Sequence, residues 1–402
     1  MSVNNMTFQQ ISTVLTSIVQ QATGQTVLTP TNTKDFVSVG QIALRADRDA
    51  VMNAISNILG RTIFSVRPYS AKLEGLMMGS FRWGNVMRKL SIADSDWEDD
   101  PAFKYPVTYD ANQTPPTGDG LSVDQWKIKK ANVLQTNFYG QSIYGDHITI
   151  TEEQLETAFT GPDQLGSFLS LIMTNLSNRL ELSNENIKRG LLANMIGALV
   201  DENQSDRVIH LLTEYNTLTG LSLTATTVYQ PANFAPFMKW VYSRIAAITD
   251  LFTEMSTKFQ TVITGKPVLR HTPYQMQRVY LYAPARHDID ARVLADTFHD
   301  NYLRYADVET VNFWQSINTP DSVSVDAVYT GANGALVESG AIVQANIFGV
   351  IFDRDFAGMT LLDQRMISTP VNASGLYRNL WIHARQRVFM DNTEKGCVLL
   401  LD

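Results

Sequence analysis

The sequence predicts an α+β fold built on one very long helix and on strands gathered near the end of the chain. Three observations carry that prediction. Apolar residues from Leu165 to Leu199 recur at steps of mostly three and four, the spacing of a helix face, over about 36 residues. β-Branched and aromatic residues recur through Ala341–Phe352 and Gly375–Phe389, and Cys397–Leu401 is a short apolar run, the patterns of strands. Residues 68–130, in contrast, are rich in proline, glycine and charge and have little helical periodicity.

The elements follow in order. Phe8, Ile11, Leu15, Ile18 and Val19 fall at helical spacing ahead of Gly24, which gives a first helix with a glycine stop. A polar, threonine-rich connector follows, then a second short helix around Asp49–Leu59. Neither helix has a face wide enough for its own core, so both read as an arm laid over something else. The next segment holds Phe81-Arg-Trp83, Arg88-Lys89, the acidic run Asp94–Asp100, the turn-rich Thr114–Gly120 and Trp126-Lys-Ile-Lys-Lys130. A loop of that length is unusual inside a compact domain. An extended two-stranded arm, with another molecule as its partner surface, accounts for it.

Strand-like Val133–Ile150 leads into Thr151-Glu-Glu-Gln154, a capping box that opens a short helix to Phe159. Gly161-Pro162-Asp163 starts the long helix, with Asn175, Asn178, Arg179, Asn184, Glu185 and Lys188 taking the side opposite its apolar face. At 1.5 Å per residue it would reach roughly 54 Å. Pro231 opens another amphipathic helix running to Phe252. Arg278–Tyr282 and Val308–Phe313 read as strands, with Asp288–Phe298 a helix between them. Val323, Val325, Ala327 and Tyr329 alternate up to a Gly331-Ala-Asn-Gly334 turn. Asp391–Gly396 reads as the hairpin loop that joins the last two strands. The block at 206–340 is thus inserted between the long helix and the strands it shares a domain with.

Composition narrows the function. The 402 residues are 44% hydrophobic and 18% charged, the balance of a folded protein with room for two or three structural units. A net charge of −8 argues against a surface dominated by phosphate contacts. The single cysteine, Cys397, excludes an internal disulfide framework and sits where a buried strand is expected. Neither a signal peptide nor a run of apolar residues long enough to cross a membrane is expected. No phosphate-loop, dinucleotide, zinc-protease or nucleophile-elbow motif occurs, and no cofactor is expected. His287, Asp288 and Asp290, with His299 and Asp300 one helix away, are the densest metal-like group. They also suit helix ends, where Asp288 caps and His299 complements the dipole.

The charged arm reads differently. Asp96, Glu98, Asp99 and Asp100 on one copy can face Arg88, Lys89, Lys127, Lys129 or Lys130 on the next. Trp83, Trp97 and Trp126 strengthen this reading, because a thin arm cannot bury three indoles in a core of its own and interface centres are rich in tryptophan. A solvated loop would explain the acids alone.

In this organisation the chain resembles tailed-bacteriophage major capsid proteins of the Hong Kong 97 type, most closely those of the small short-tailed phi 29 group. Ser167-Phe168-Leu-Ser-Leu-Ile172 is similar to that family's spine helix, Val293–Phe298 to its inserted-domain helix, and Ser374–Asn379 to the turn before its last long strand. The resemblance implies an N-terminal arm at 1–67, an extended E-loop at 68–131, a peripheral domain at 132–205 with 341–402, and an axial domain at 206–340. It implies a subunit that self-assembles as hexamers and pentamers into an icosahedral or prolate shell. The expected partners are other copies of the chain, a separate scaffolding protein, a portal protein, and packaged double-stranded DNA held without sequence-specific contacts. The expected location is the virion, after assembly in the host bacterial cytoplasm, with no membrane. An encapsulin-like compartment shell, or a metal-dependent enzyme using the His287 group, are the competing readings.

Overall fold

The computed structural model describes residues 7–24, 29–46, 50–51, 54–55, 72–78, 86–93, 126, 130, 132–139, 142–284 and 307–402. Helix α1 (Phe8–Thr23) begins on a capping box in which Thr7 and Gln10 satisfy each other's backbone N–H, and ends at Gly24 with φ 70°. The connector contains a helix that the sequence reading missed, α2 (Thr33–Ala46). It buries Phe36, Ala43 and Leu44. Gly40 lets it close on Phe159, where a Cβ would stand 2.8 Å from the ring. Of the predicted second helix, residues 50–51 and 54–55 are helical, and the rest of it lies outside the described residues.

Strand-like 133–150 proves to be two strands in different sheets. β2 (Asn132–Tyr139) pairs antiparallel with β1 (Val86–Ala93), so the second strand of the ribbon lies beyond the 68–130 segment expected to form a two-stranded arm. β3 (Ser142–Thr151) instead pairs with a strand near the end of the chain. The Thr151–Gln154 capping box opens α3 (Glu152–Ala158) as expected. The long helix is α4 (Pro162–Glu202), 41 residues and roughly 60 Å, with Pro162 in its first turn and Asn203 left-handed at its end.

After α4 come β4 (Val208–His210), an unforeseen α5 (Leu211–Thr219), and α6 (Pro231–Thr253) on the predicted proline start. β5 (Gln277–Tyr282) and β6 (Asp307–Val311) match their expected strands, while the helix predicted at 288–298 lies outside the described residues. β7 (Val323–Thr330) turns through Gly331–Gly334 into β8 (Leu336–Gln344). The predicted strand 341–352 is split at Asn346, whose φ of 58° breaks the extended run and starts β9 (Ile347–Asp353) in another sheet. β10 (Ala357–Ser368), not foreseen, is followed by β11 (Tyr377–Met390) and β12 (Gly396–Leu400).

The last two strands are not a hairpin. β11 lies between β10 and β3 in a three-stranded sheet, and β12 lies between β4 and β9 in a five-stranded sheet of order β4-β12-β9-β5-β6. Residues 391–396 therefore carry the chain from one sheet to the other. β9 and β12 hydrogen-bond to strands of the 206–340 block, so that block and the chain's end share one sheet.

The long helix serves two cores. Its first half packs Leu165, Leu169, Ile172 and Leu176 against α1, α2, α3 and the three-stranded sheet. Its second half packs Leu192, Met195, Ile196 and Leu199 against the five-stranded sheet. Between them Asn184, Glu185, Lys188 and Arg189 are buried rather than solvated, contrary to the reading of Asn184, Glu185 and Lys188 as a polar side. Arg189 pairs with Glu185 at 2.6 Å and lies 3.6 Å above the Phe313 ring, so the charge is neutralised and covered. The gap in apolar spacing near Ser183 marks this polar joint.

Candidate assembly surface

The β1–β2 hairpin has two unlike faces. Its pleat puts Met87, Lys89 and Ser91 on one side with Leu134, Thr136 and Phe138 across from them. That side is seated on the chain's own body. Lys89 Nζ donates to Asp391 Oδ2 at 2.6 Å and also pairs with Glu394. Arg270 pairs with Glu394 and donates through Nη2 to Ser91 Oγ at 3.2 Å and Thr393 Oγ1 at 3.1 Å. Phe138 packs on Phe389 with ring centroids 5.5 Å apart, and Lys266 Nζ reaches the Val133 carbonyl at 3.3 Å. Two cations and two carboxylates thus clamp the root of the hairpin.

The electrostatics of the clamp are uneven. Burial opposes ionisation of Asp391, but Lys89 and the Thr393 hydrogen bond outweigh it and hold the carboxyl below the usual range. For Glu394 burial wins over Lys89 and Arg270, and its pKa rises. Lys89→Ala should therefore free the hairpin without unfolding the body. Hydrogen exchange at the amides of 86–93 and 132–139 should speed up while β9 and β12 stay protected; unchanged exchange in the hairpin would show that the clamp is not what seats it.

Among the described residues the opposite face is uncovered. Leu90 is 61% exposed, Ile92 65% and Val133 45%, and the register Ile92↔Val133 sets them side by side. An apolar strip of this kind on a two-stranded ribbon is an interaction surface rather than a core.

The sequence-predicted interface residues divide accordingly. Arg88 is exposed on the outer face, and Lys130 and Trp126 are exposed, the indole at 79%. Lys89, expected to face a neighbouring copy, is engaged within its own chain, because the buried carboxylates of 391–394 lie beneath its strand. Trp83, Asp96, Trp97, Glu98, Asp99, Asp100, Lys127 and Lys129 lie outside the described residues. The metal-like group His287, Asp288, Asp290, His299 and Asp300 lies outside them too, and among the described residues no set of three His, Cys, Asp or Glu side chains could hold a metal ion.

Sequence reasoning missed the receiving loop, 391–396. Read as a hairpin loop, it is buried at every position. Asn392 Nδ2 donates to Glu202 Oε1 at 2.9 Å and to the Thr330 carbonyl at 2.7 Å. Glu202 also pairs with fully buried Arg207, which donates to Thr261 Oγ1 at 2.6 Å and to the Gly396 carbonyl at 3.2 Å. Lys395 Nζ donates to the carbonyls of Glu254 at 2.7 Å and Phe252 at 3.2 Å, closing the C-terminal end of α6. Gly396 must be glycine, since a Cβ there would meet Phe356 at 2.7 Å. Cys397 is buried as expected, with its thiol pushed up to about 12 by burial.

Comparison with known proteins adds three findings. The family model for the Phi29-like phage major capsid protein matches residues 14–400. A chain in the structure of head fiber and inner core protein gp22 of native bacteriophage P68 is similar at 11% identity and TM-score 0.51, over 83% of this chain and 85% of that one. Chains in the capsid structures of Staphylococcus phage Andhra (10% identity, TM-score 0.49, 84% and 87% covered) and cyanophage P-SCSP1u (11%, 0.41, 84% and 89%) are also similar. Among curated proteins none matches.

Proposed function

Because the chain belongs to the Phi29-like phage major capsid protein family, we propose that its β1–β2 hairpin carries residues 94–131 onto a neighbouring copy as a contact that holds the shell together. The chain is a phage major capsid protein with a Hong Kong 97-type fold, and it assembles with other copies into a capsid shell. The observation that supports the arm is the two-faced hairpin. One side is fixed to the subunit by Lys89 and Phe138, and the other offers Leu90, Ile92 and Val133 outward. A root fixed on one side and apolar on the other suits a contact made with another copy.

The finer reading follows from this. Hexamers and pentamers tile the shell, each contact being modest and multiplied by closure. The first half of α4 with the three-stranded sheet forms the peripheral part, and the five-stranded sheet with α5 and α6 the axial part. A separate scaffolding protein and a portal protein are the assembly partners. Double-stranded DNA is enclosed without sequence-specific contacts, and assembly takes place in the host bacterial cytoplasm. The role is structural rather than catalytic. Among the described residues no helix is long and apolar enough to cross a membrane.

The register supplies a clean test, because Ala93 pairs with Asn132. Replacing residues 94–131 by Asn-Gly closes the ribbon with a two-residue turn that suits its twist. The variant should remain a folded subunit with an unchanged unfolding midpoint, and electron microscopy should find no closed shells. Normal particles would sink the proposed role of the arm.

A further inference from the structure

The turn that joins β7 to β8 assembles the parts of a reaction on the chain itself. Gly331-Ala-Asn333-Gly334 holds the one asparagine–glycine pair in the 402 residues. Residues 332–335 are all exposed. Asn333 Oδ1 accepts the Ala335 N–H at 2.9 Å, an Asx turn that folds the carboxamide over the Gly334 amide lying between them. Gly334 N–H donates to the Gly331 carbonyl, Gly331 N–H to the Ala335 carbonyl and Thr264 N–H to the Ala332 carbonyl, each at 2.8 Å. These bonds keep the turn in one form. Gly334 sits at φ 77°, a conformation that a residue without Cβ adopts freely. Asn372, in the loop between β10 and β11, makes a matched comparison. It is exposed too, and its Oδ1 accepts the Ser374 N–H at 3.0 Å in the same Asx geometry. Its successor is Ala373, whose Cβ narrows the backbone rotation that brings an amide nitrogen onto the side chain before it.

We propose that Asn333 is a self-modification site, at which the folded subunit slowly converts its own asparagine to aspartate and isoaspartate. The Gly334 nitrogen gives its proton to hydroxide and attacks Asn333 Cγ. Negative charge develops on Oδ1, where the Ala335 N–H already points. The new N–Cγ bond closes a cyclic imide as the carboxamide C–N bond breaks, and the side-chain nitrogen leaves as ammonia with a proton taken from water. Hydroxide is thereby regenerated. Water then opens the imide. Cleavage at Cγ gives aspartate, and cleavage at the main-chain carbonyl gives isoaspartate, so water is the only co-reactant. The Gly334–Gly331 hydrogen bond opposes attack and must open first, a small local opening in an exposed turn. Each event adds a negative charge at the tip of the β7–β8 ribbon. Aspartate keeps an oxygen for the Ala335 N–H, whereas isoaspartate puts an extra carbon into the main chain of the turn.

The test incubates the folded full chain, before assembly, in mildly alkaline buffer and follows its peptides by mass spectrometry, with electron-transfer fragmentation to separate aspartate from isoaspartate. Asn333 should convert at least about tenfold faster than Asn372, a barrier difference of about 1.4 kcal/mol. Both products should appear at position 333, and the rate should rise with pH. A rate at Asn333 no greater than that at Asn372 would overturn the proposal. So would conversion that occurs only in urea, because the reaction would then belong to the unfolded chain. Ala373→Gly supplies the reciprocal measurement without touching the β7–β8 turn. It should bring Asn372 close to the rate of Asn333, and an Asn372 left slow by that change would overturn the part given to the Asx geometry.

Discussion

Replacing Arg207 with methionine should destabilise the folded subunit by roughly 3–5 kcal/mol, the usual cost of stranding one partner of a buried ion pair. Arg207 is wholly buried, and its guanidinium reaches Glu202, Thr261 and the Gly396 carbonyl. Methionine fills much of the space but leaves the Glu202 carboxylate supported only by Thr261 and Asn392. Urea denaturation of unassembled subunits, followed by circular dichroism, reads the loss directly. Adding Glu202→Gln should recover part of it, because the two sites share one network and their costs do not add. A single variant within about 1 kcal/mol of the parent would show that water or local relaxation supports Glu202 instead.

Lys395→Met should cost roughly 2–4 kcal/mol, since the carbonyls of Phe252 at the end of α6 and of Glu254 just beyond it lose a buried donor. It also carries a pH signature. Burial pulls the Lys395 pKa from 10.5 down to about 8. Between those values the unfolded chain binds more protons at this site than the folded one, so raising the pH favours folding there. The stability gap between the parent and Lys395→Met should therefore widen from about pH 8 to 10.5. A gap that is flat or narrows across that window would contradict the assignment.

How much of this was legible beforehand depends on where the deciding interaction lies. α1, α3, α4 and α6 were readable because their signals are local: a capping box, a proline start, apolar residues every three or four positions. α2 was hidden by its threonine and glycine content, and it is held by Phe36 and by the close approach of Gly40 to Phe159, contacts made across the fold. The run from Val133 to Ile150 looked like one strand because both parts share a composition, and composition does not record which sheet each part joins. Asp391–Gly396 was misread for the same reason. Five polar residues and a glycine between strands describe a turn in water equally well, and Arg207, Glu202 and Arg270, far away in sequence, help make them interior. The arm was expected from its mixture of tryptophan and charge, but Lys89 has the same chemistry whether it meets a neighbour or its own Asp391. Its direction is a tertiary fact.

The order in which the five-stranded sheet is made has a consequence for synthesis. β12 occupies an interior position, with β4 on one side and β9 on the other, and Leu400 pairs with His210 about 190 residues earlier. At 5–20 residues per second a ribosome needs roughly 10–40 s to make that intervening chain. Throughout that time β4 lacks its neighbour, and Lys89 in the β1–β2 hairpin lacks the Asp391 and Glu394 carboxylates that hold it. A nascent chain therefore holds its five-stranded sheet and the seat of its hairpin incomplete until β12 is made. The subunit body is thus completed by its last strand rather than by its long helix.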